Sequence, residues 1–249
     1  MRSSPWGQDG YGLRFEWGLT GSREVSSARG VLVVVDVLSF TTAVTVATER
    51  GVAVYPASWR DERAAELAAR VDARLAVGRS EVTKDHPWSL SPAALAAAPA
   101  PARLVLPSPN GSSVAAASDG IVVACSLRNV AAVAHWLRGR AGTPENPVSV
   151  IAAGERWPDD SLRPALEDLL GAGALLSALA QEGNHTLSPE AEAAVATYRG
   201  TGSVPSAVRD CASGRELVDR GFGDDVEIAA ELGVSSAVPV LTDGAFVAR

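Results

Sequence analysis

Polar residues of the kinds that bind anions and metal ions follow four predicted strands of this 249-residue chain. The four groups are Asp36 with Ser39, Thr41 and Thr42; Ser108 to Ser113, which includes Asn110, Gly111 and Ser112; Ser126 with Arg128 and Asn129; and Gly154 with Glu155 and Arg156. In open α/β sheets, ligands bind beyond the carboxyl ends of the strands, where loops converge with helix N-termini. Together the groups suit a phosphorylated or carboxylated small molecule, with Asp36 holding a Mg²⁺ ion that bridges to it. Each group alone also fits a turn or a helix cap, since Ser, Asn and Gly are the residues that turns require.

Two adjacent acids, Glu167 and Asp168, precede an almost uncharged helical stretch that ends at Leu179. Burying a carboxylate without a partner costs several kcal/mol, about 2–7 for a polar group and more for a charge. A metal ion would supply that partner. The alternative is that both acids simply favour the first turn of a helix, where the helix dipole stabilises negative charge.

Several familiar catalytic motifs are absent from the sequence. Leu38 occupies the position of the second aspartate in the Asp-x-Asp phosphatases, and neither Cys125 nor Cys211 is followed six residues later by arginine. There is no Gly-x-x-x-x-Gly-Lys-Ser/Thr loop, no Gly-x-Gly-x-x-Gly after a strand and no Gly-x-Ser-x-Gly elbow. The three histidines lack the spacing of metal ligands.

The elements that must position these residues alternate between strand and helix, which is typical of a layered α/β fold. The predicted strands are Val31–Val37, Val52–Pro56, Arg74–Val77, Arg103–Leu106, Ile121–Cys125 and Val148–Ala152. The predicted helices are Phe40–Arg50 with Ser39 as N-cap, Arg60–Val71, a short one begun by Ser91-Pro92, Gly111–Ala117, Asn129–Arg140, Arg163–Gln181, Pro189–Arg199, Ser213–Arg220 and Asp225–Leu232. A hairpin with its turn at Asp243-Gly244 closes the chain. We expect a single domain over residues 1–249, with a mostly parallel or mixed sheet and a helical C-terminal part.

Composition restricts the partners. The formal net charge of −7 repels nucleic acid phosphates and anionic lipids, so a small molecule or a metal is the expected partner. The apolar runs fall short of the roughly 20 residues that a membrane span needs. Two cysteines are too few for a disulfide framework, and residues 1–10 do not resemble a signal peptide, so we expect a cytoplasmic protein. The small residues of Gly171–Ala180 are compatible with a homodimer interface.

Ordered motifs along nearly the whole chain resemble those of the 2-phosphosulfolactate phosphatase family. The motifs are Arg14–Gly18, Val33–Thr42, Pro109–Ser112, Ala124–Asn129, Ala153-Gly154, Leu166–Asp168 with Ala172-Gly173, Ala212–Leu217, Gly223–Val226 and Ala237–Pro239. Any one of these strings is weakly specific, but their order and spacing together point to this family.

The resemblance implies a three-layer α/β/α fold and Mg²⁺-dependent removal of phosphate from a small sulfonated phosphoester. It makes Asp36, Glu167 and Asp168 candidates for metal binding or acid–base catalysis. It makes Asn110, Gly111, Ser112, Ser126 and Asn129 candidates for binding phosphate or sulfonate, and Thr41, Thr42 and Arg156 at the strand exits join that set. Such a Mg²⁺ ion would polarise phosphoryl oxygens and lower the pKa of an attacking water.

This chain departs from the family pattern at three places. The family's Thr-Thr-Asn-Gly-Thr string is replaced by Pro107 to Ser112, which keeps the Asn-Gly pair and a hydroxyl but stiffens the approach. Ser39 replaces an arginine that the family carries after the strand-end aspartate, so an anion loses a strong partner there. The family's acidic loop after the third strand is reduced to Gly78–Glu81 and Ser89–Pro92, in which Arg79 remains available to an anion and Glu81 to a metal.

Three functions remain open. The first is a Mg²⁺-dependent phosphatase of a small anionic phosphoester. The second is a family member that binds a small anionic ligand without turnover. The third is a structural or oligomerisation role.

Overall fold

Nine strands form one sheet in the computed structural model, which describes residues 6–116, 118, 120–183 and 185–249. The strands of this sheet are β1 Leu13–Trp17, β2 Val31–Val35, β3 Ala53–Ala57, β4 Arg74–Leu75, β5 Arg103–Pro107, β6 Ile121–Cys125, β7 Val148–Ala152, β10 Pro239–Thr242 and β11 Ala245–Ala248. A separate two-stranded ribbon pairs β8, Glu155–Arg156, with β9, Leu162–Arg163.

Helices connect most of these strands. They are α1 Gly18–Val25, α2 Phe40–Glu49, α3 Glu62–Arg70, α4 Pro92–Ala97, α5 Gly111–Ala115, α6 Val130–Leu137, α7 Leu166–Glu182, α8 Pro189–Gly200, α9 Val204–Asp210, α10 Ala212–Asp219 and α11 Gly223–Ala230. Two short 3₁₀ helices, Arg79–Glu81 and Leu127–Asn129, lie in the connections. The C-terminal part is helical, as predicted. In the described part of the chain, none of the helices combines the length and the apolar character needed to cross a bilayer.

The sheet is mostly parallel, as predicted, but a hairpin divides it. The strand order is β1-β7-β2-β6-β10-β11-β3-β5-β4, and β1, β7, β2 and β6 pair in parallel, as do β3, β5 and β4. The β10–β11 hairpin pairs antiparallel with β6 on one side and with β3 on the other. The group of β3, β5 and β4 therefore runs opposite to the group that contains β2.

Both faces of the sheet are covered, which produces the three layers. In β2 the side chains of Val31, Val33 and Val35 face one core with α6 to α11, while Leu32 and Val34 face a second core with α2, α4 and α5. All five residues are buried, which explains why the strand reads as an uninterrupted apolar run.

The sheet curls around α2 and α5. Helix α5 follows β5 yet contacts β2, although four strands separate β5 from β2 in the sheet. Helix α2 contacts β3, β6, β10 and β11 across the same face. This curvature brings the end of β5 to the end of β2.

The predicted boundaries differ from the observed ones in several places. The strand predicted to reach Val37 ends at Val35, because the chain turns at Asp36. Helix α7 begins at Leu166 rather than Arg163, since Arg163 pairs with Glu155 in the ribbon. The sequence patterns missed β1, α1, α9 and the ribbon, whose segments are short.

The helix begun by Ser91-Pro92 is confirmed, with the Ser91 side chain accepting from the Ala94 N–H. The end predicted at Ala117 lies outside the described residues.

Candidate active site

Asp36 connects two distant segments where β2 ends. Its Oδ1 accepts from the backbone N–H of Phe40 and its Oδ2 from that of Gly111, both at 3.0 Å. Ser39 occupies the N-cap position of α2, as predicted, but its side chain makes no capping hydrogen bond. Asp36 instead pairs the first N–H of α2. The peptide between Leu38 and Ser39 is cis.

Asp168 connects the ends of β2 and β7. Its Oδ1 accepts from the Val37 N–H at 2.7 Å and its Oδ2 from the Gly154 N–H at 2.9 Å. The neighbouring Glu167 is also buried, and its Oε2 accepts a hydrogen bond from the thiol of Cys211 at 3.2 Å. Burial, followed by the nearby Glu167 carboxylate, raises the pKa of Cys211 to about 12, so the thiol keeps its proton at neutral pH.

Asp36, Glu155, Glu167 and Asp168 form an acidic cluster in which the carboxylates repel one another. Burial raises the pKa of Asp36 to about 6, and the charge of Glu167 adds to the rise. Burial also raises the pKa of Glu155 to about 7, with further contributions from Asp36 and Glu167. The pKa of Asp168 is raised by burial and then by Asp36 and Glu167. These acids, drawn from three parts of the chain, therefore share one electrostatic environment.

A hydrogen-bonded bridge joins the ends of β5 and β7. The Asn110 side chain donates through Nδ2 to Glu155 Oε2 at 3.1 Å and accepts through Oδ1 from Arg156 Nε at 3.2 Å. Because Gly111 also donates to Asp36, the ends of β2, β5 and β7 meet at one place. The sequence argument placed these ends together on one edge of a parallel sheet. The observed cause is different, since β5 runs opposite to β2 and only the curl of the sheet brings their ends together.

A cleft of about 400 Å³ opens over Asp36 and Glu155. Five arginines line it, namely Arg60, Arg79, Arg156, Arg163 and Arg220, together with a third carboxyl group from Glu216. Basic side chains thus outnumber carboxyl groups by five to three among the residues that line the cleft, although the whole chain carries a net charge of −7. Such a cleft attracts a small polyanion and can hold its oxygens through charge-assisted hydrogen bonds.

Two predicted anion-binding residues brace the end of β2. Thr41 is fully buried, and its hydroxyl accepts from the N–H of Asp36 and donates to the carbonyl of the same residue. Thr42 is equally buried and donates to the Val37 carbonyl. Their hydroxyl groups are engaged in holding the turn that presents Asp36.

Three further predicted residues lie in the interior. Asn129 accepts from the Ser126 N–H at 2.7 Å and donates to the carbonyls of Ala124 and Ala237. This network closes the end of β6 beside the β10–β11 hairpin. Ser112 is also buried, and within the described part of the chain its hydroxyl has no hydrogen-bond partner.

Glu81 lies away from the acidic cluster. Its carboxylate accepts from the Gly78 N–H at 2.8 Å and lines a neighbouring cavity of about 470 Å³. That cavity shares Arg60, Arg79 and Arg220 with the cleft. The short segment Arg79–Glu81 therefore contributes Arg79 to the cleft, while the predicted metal ligand Glu81 lines the neighbouring cavity.

Sequence reasoning missed several residues of the cleft. Arg60 precedes α3, Arg163 belongs to β9, and Arg220 follows α10. Each is one arginine among 22 Lys and Arg residues. Arg163 and Arg220 do not follow a strand of the main sheet, and Arg60, in the segment between β3 and α3, was assigned to the start of a predicted helix. Ser213, which accepts from Arg163 Nη2 at 3.0 Å, stood in a recognised motif without an assigned role.

The donor set suits Mg²⁺ only in an open arrangement. Among the described residues, no three His, Cys, Asp or Glu side chains converge closely enough to hold one metal ion. Mg²⁺ usually takes one or two carboxylates and fills its remaining positions with water and substrate phosphate oxygens. Asp36 reaches the cleft with Glu155, and a divalent cation would relieve the repulsion within the acidic cluster. The residues therefore fit a magnesium ion that phosphate helps to hold.

Comparison with known proteins shows the family of the chain. Residues 20–244 match the family described as 2-phosphosulpholactate phosphatase. The chain is also similar to a protein of Deinococcus radiodurans named "Probable 2-phosphosulfolactate phosphatase". The two are 29% identical over 224 residues, which cover 86% of this chain and 88% of the relative.

Proposed function

Because the chain belongs to the 2-phosphosulpholactate phosphatase family, we propose that it hydrolyses a small anionic phosphate monoester resembling 2-phosphosulfolactate, with Mg²⁺ as cofactor. The observation that carries this proposal is the set of five arginines around the carboxyl groups of Asp36 and Glu155 in one cleft. A neutral substrate would offer these guanidinium groups no charge to pair with. A phosphoester with a second anionic group gives them two sets of oxygens to bind.

The arginines bind and orient the substrate. Arg156 reaches the cleft from the Asn110 bridge, and Arg163 reaches it from the ribbon, where Ser213 holds its guanidinium. Phosphoryl transfer depends mainly on positioning and on stabilising the charge of the transferring group, which planar guanidinium groups do well.

Glu155 is the group best suited to move a proton. With a pKa of about 7 it is partly protonated at neutral pH, and the Asn110 amide fixes its orientation. In its protonated form it would give the proton to the ester oxygen as the phosphorus–oxygen bond breaks, releasing an alcohol. The attacking water supplies the new oxygen of the phosphate, and its proton restores the acid.

Asp36, with Glu167 in the same acidic cluster, would hold Mg²⁺ together with the oxygens of the phosphate. When bound, it would polarise the phosphoryl oxygens and lower the pKa of the attacking water. Asp168 and its two backbone partners then keep the ends of β2 and β7 together under the site.

The test is phosphate release from a panel of small phosphoesters that includes 2-phosphosulfolactate, with Mg²⁺ or with a chelator. We expect turnover only with the metal, and a loss of at least about a hundredfold in kcat for Asp36→Asn. Asp72→Asn is the matched control, because Asp72 is exposed, lies outside the cleft and has a positive φ of 50° that asparagine accommodates.

The proposal would be overturned if no phosphate were released either with Mg²⁺ or with the chelator. Full activity of Asp36→Asn would overturn it as well. Ligand-dependent thermal stabilisation without hydrolysis would instead favour the second function, binding without turnover. A cytoplasmic location, the absence of nucleic acid and membrane partners, and a homodimer stay predictions from the sequence.

A further inference from the structure

Asp225 is a buried carboxylate outside the cleft that holds one of its arginines. It lies in the first turn of α11, and its side chain is 1% exposed. Its Oδ2 accepts from Arg79 Nε at 3.1 Å. Its Oδ1 accepts from the Ser91 hydroxyl at 2.5 Å and from the Ala93 N–H at 3.1 Å. Three donors from three separate residues therefore satisfy this carboxylate, as burial of a charge demands.

Arg79 depends on these contacts for its position. It belongs to a three-residue 3₁₀ helix in an irregular loop, where no long element fixes its backbone. Its guanidinium lies 5.7 Å from the ring centroid of Phe222, and its Nη2 donates to the Ser39 hydroxyl at 2.5 Å. The side chain of Arg79 is 13% exposed, so the group is confined on most sides and opens on the cleft.

The start of α11 also steadies a second arginine. The guanidinium of Arg220 lies 5.9 Å from the Phe222 ring centroid, and both Arg220 and Arg79 line the cleft. Phe222 and Asp225 belong to one turn, since the Asp225 N–H donates to the Phe222 carbonyl at 3.1 Å. One turn of the chain thus contacts two guanidinium groups of the anion-binding surface.

We propose that Asp225 is a positioning residue that fixes the Arg79 guanidinium beside Ser39 for binding the anionic group of the substrate, a role that rests on the proposed function. A held guanidinium loses less side-chain freedom when the anion binds, so the anion binds more tightly. Asp225 acts through Arg79, because among the described residues to which it is hydrogen-bonded Arg79 is the one that lines the cleft.

The test is titration of the protein with inorganic phosphate in a calorimeter, together with steady-state kinetics. Asp225→Asn keeps the shape of the side chain but removes the charge that holds Arg79. We expect phosphate to bind about tenfold more weakly and KM to rise by a similar factor, with kcat changed less than about twofold. Asp224→Asn is the matched control, because this exposed neighbour in the same turn undergoes the same chemical change.

A double-mutant cycle separates positioning from general damage to the fold. In an Arg79→Ala background, Asp225→Asn should have no further effect on phosphate affinity, because the group through which it acts is gone. An equal loss in both backgrounds would show a structural role and overturn the inference. Unchanged phosphate affinity of Asp225→Asn in the native background would do the same.

Two further outcomes complete the test. If Asp225→Asn does not fold, Phe222→Leu keeps an apolar side chain but removes the ring face under Arg79 and Arg220. We then expect phosphate affinity to fall about threefold, and an unchanged affinity would overturn the inference. If the native protein neither binds phosphate nor hydrolyses any phosphoester, the proposed function fails with it. If the native protein does both and the variants match it, only the role of Asp225 fails.

Discussion

Replacing Glu155 by glutamine removes one charge from the acidic cluster and leaves the local hydrogen bond in place. Glu155 Oε2 accepts from Asn110 Nδ2, and the carbonyl oxygen of a glutamine amide accepts the same bond. The variant therefore isolates the electrostatic cost of the carboxylate. In the presence of a chelator, so that no divalent cation offsets this cost, we expect Glu155→Gln to be more stable than the native protein above neutral pH.

The sign and size follow from the raised pKa. Burial, then the charges of Asp36 and Glu167, raise the pKa of Glu155 from 4.5 to about 7. Between these values the folded protein holds the proton more tightly than the unfolded chain, so native stability falls as the pH rises through this window. The full rise corresponds to about 3 kcal/mol at 1.36 kcal/mol per pH unit. Because the side chain is only partly buried, screening reduces the expected difference to about 1–2 kcal/mol.

The assay is thermal or urea unfolding of both proteins at several pH values in a chelator. Near pH 8 the variant should melt about 2–6 °C higher than the native protein, and near pH 5 the difference should shrink to about a quarter. Glu66→Gln, an exposed glutamate of α3, is the control and should follow the native curve. Identical pH dependence of Glu155→Gln and native protein, or lower stability of the variant at pH 8, would refute the reasoning.

Three other outcomes test the site. Asp168→Ala leaves the buried N–H groups of Val37 and Gly154 unpaired, so we expect the free energy of unfolding to fall by about 2–5 kcal/mol in urea titrations; a loss below about 0.5 kcal/mol would contradict the bridging role. Gly111→Ala would place a Cβ atom 2.8 Å from an Asp36 carboxylate oxygen, so we expect about 1–3 kcal/mol of destabilisation and reduced kcat, and native kinetics would contradict this. Mg²⁺ should raise the melting temperature more near pH 8 than near pH 5, since protons compete for the carboxylates; an equal rise at both would argue against carboxylate ligation.

The sequence predicts a strand or helix well where the local pattern of apolar residues is clear. The apolar run from Val31 marks a strand covered on both faces, and β2 lies between β7 and β6 with every residue buried. The β10–β11 hairpin was also predicted. Its insertion between β6 and β3 was not, because strand order depends on long-range pairing that local periodicity does not encode.

The residues of the candidate site also fall into two groups, those that the sequence predicted and those that it missed. Asp36 and Asn110 follow strands, where topology directs attention, and both lie at the cleft. The arginines that line the cleft come from loops, the ribbon and the end of a helix. An isolated exposed arginine in such a segment looks like any solvated surface charge, so only the folded structure assigns it to a site.

Ser39, which stands where the family pattern has an arginine, bears on which anionic group the site prefers. An arginine there would carry its charge on the chain segment that follows β2, whereas Ser39 offers a hydroxyl that accepts a hydrogen bond from Arg79. The cation beside this segment is Arg79, a loop residue whose guanidinium donates to Asp225 in α11. The Arg79 guanidinium, whose backbone lies in the loop and whose partner Asp225 lies in α11, can point to a different part of the substrate than an arginine at position 39 would. Specificity for the anionic group should therefore follow the loop and α11, so exchange of these segments, rather than of Ser39 alone, should change which phosphoester the protein prefers.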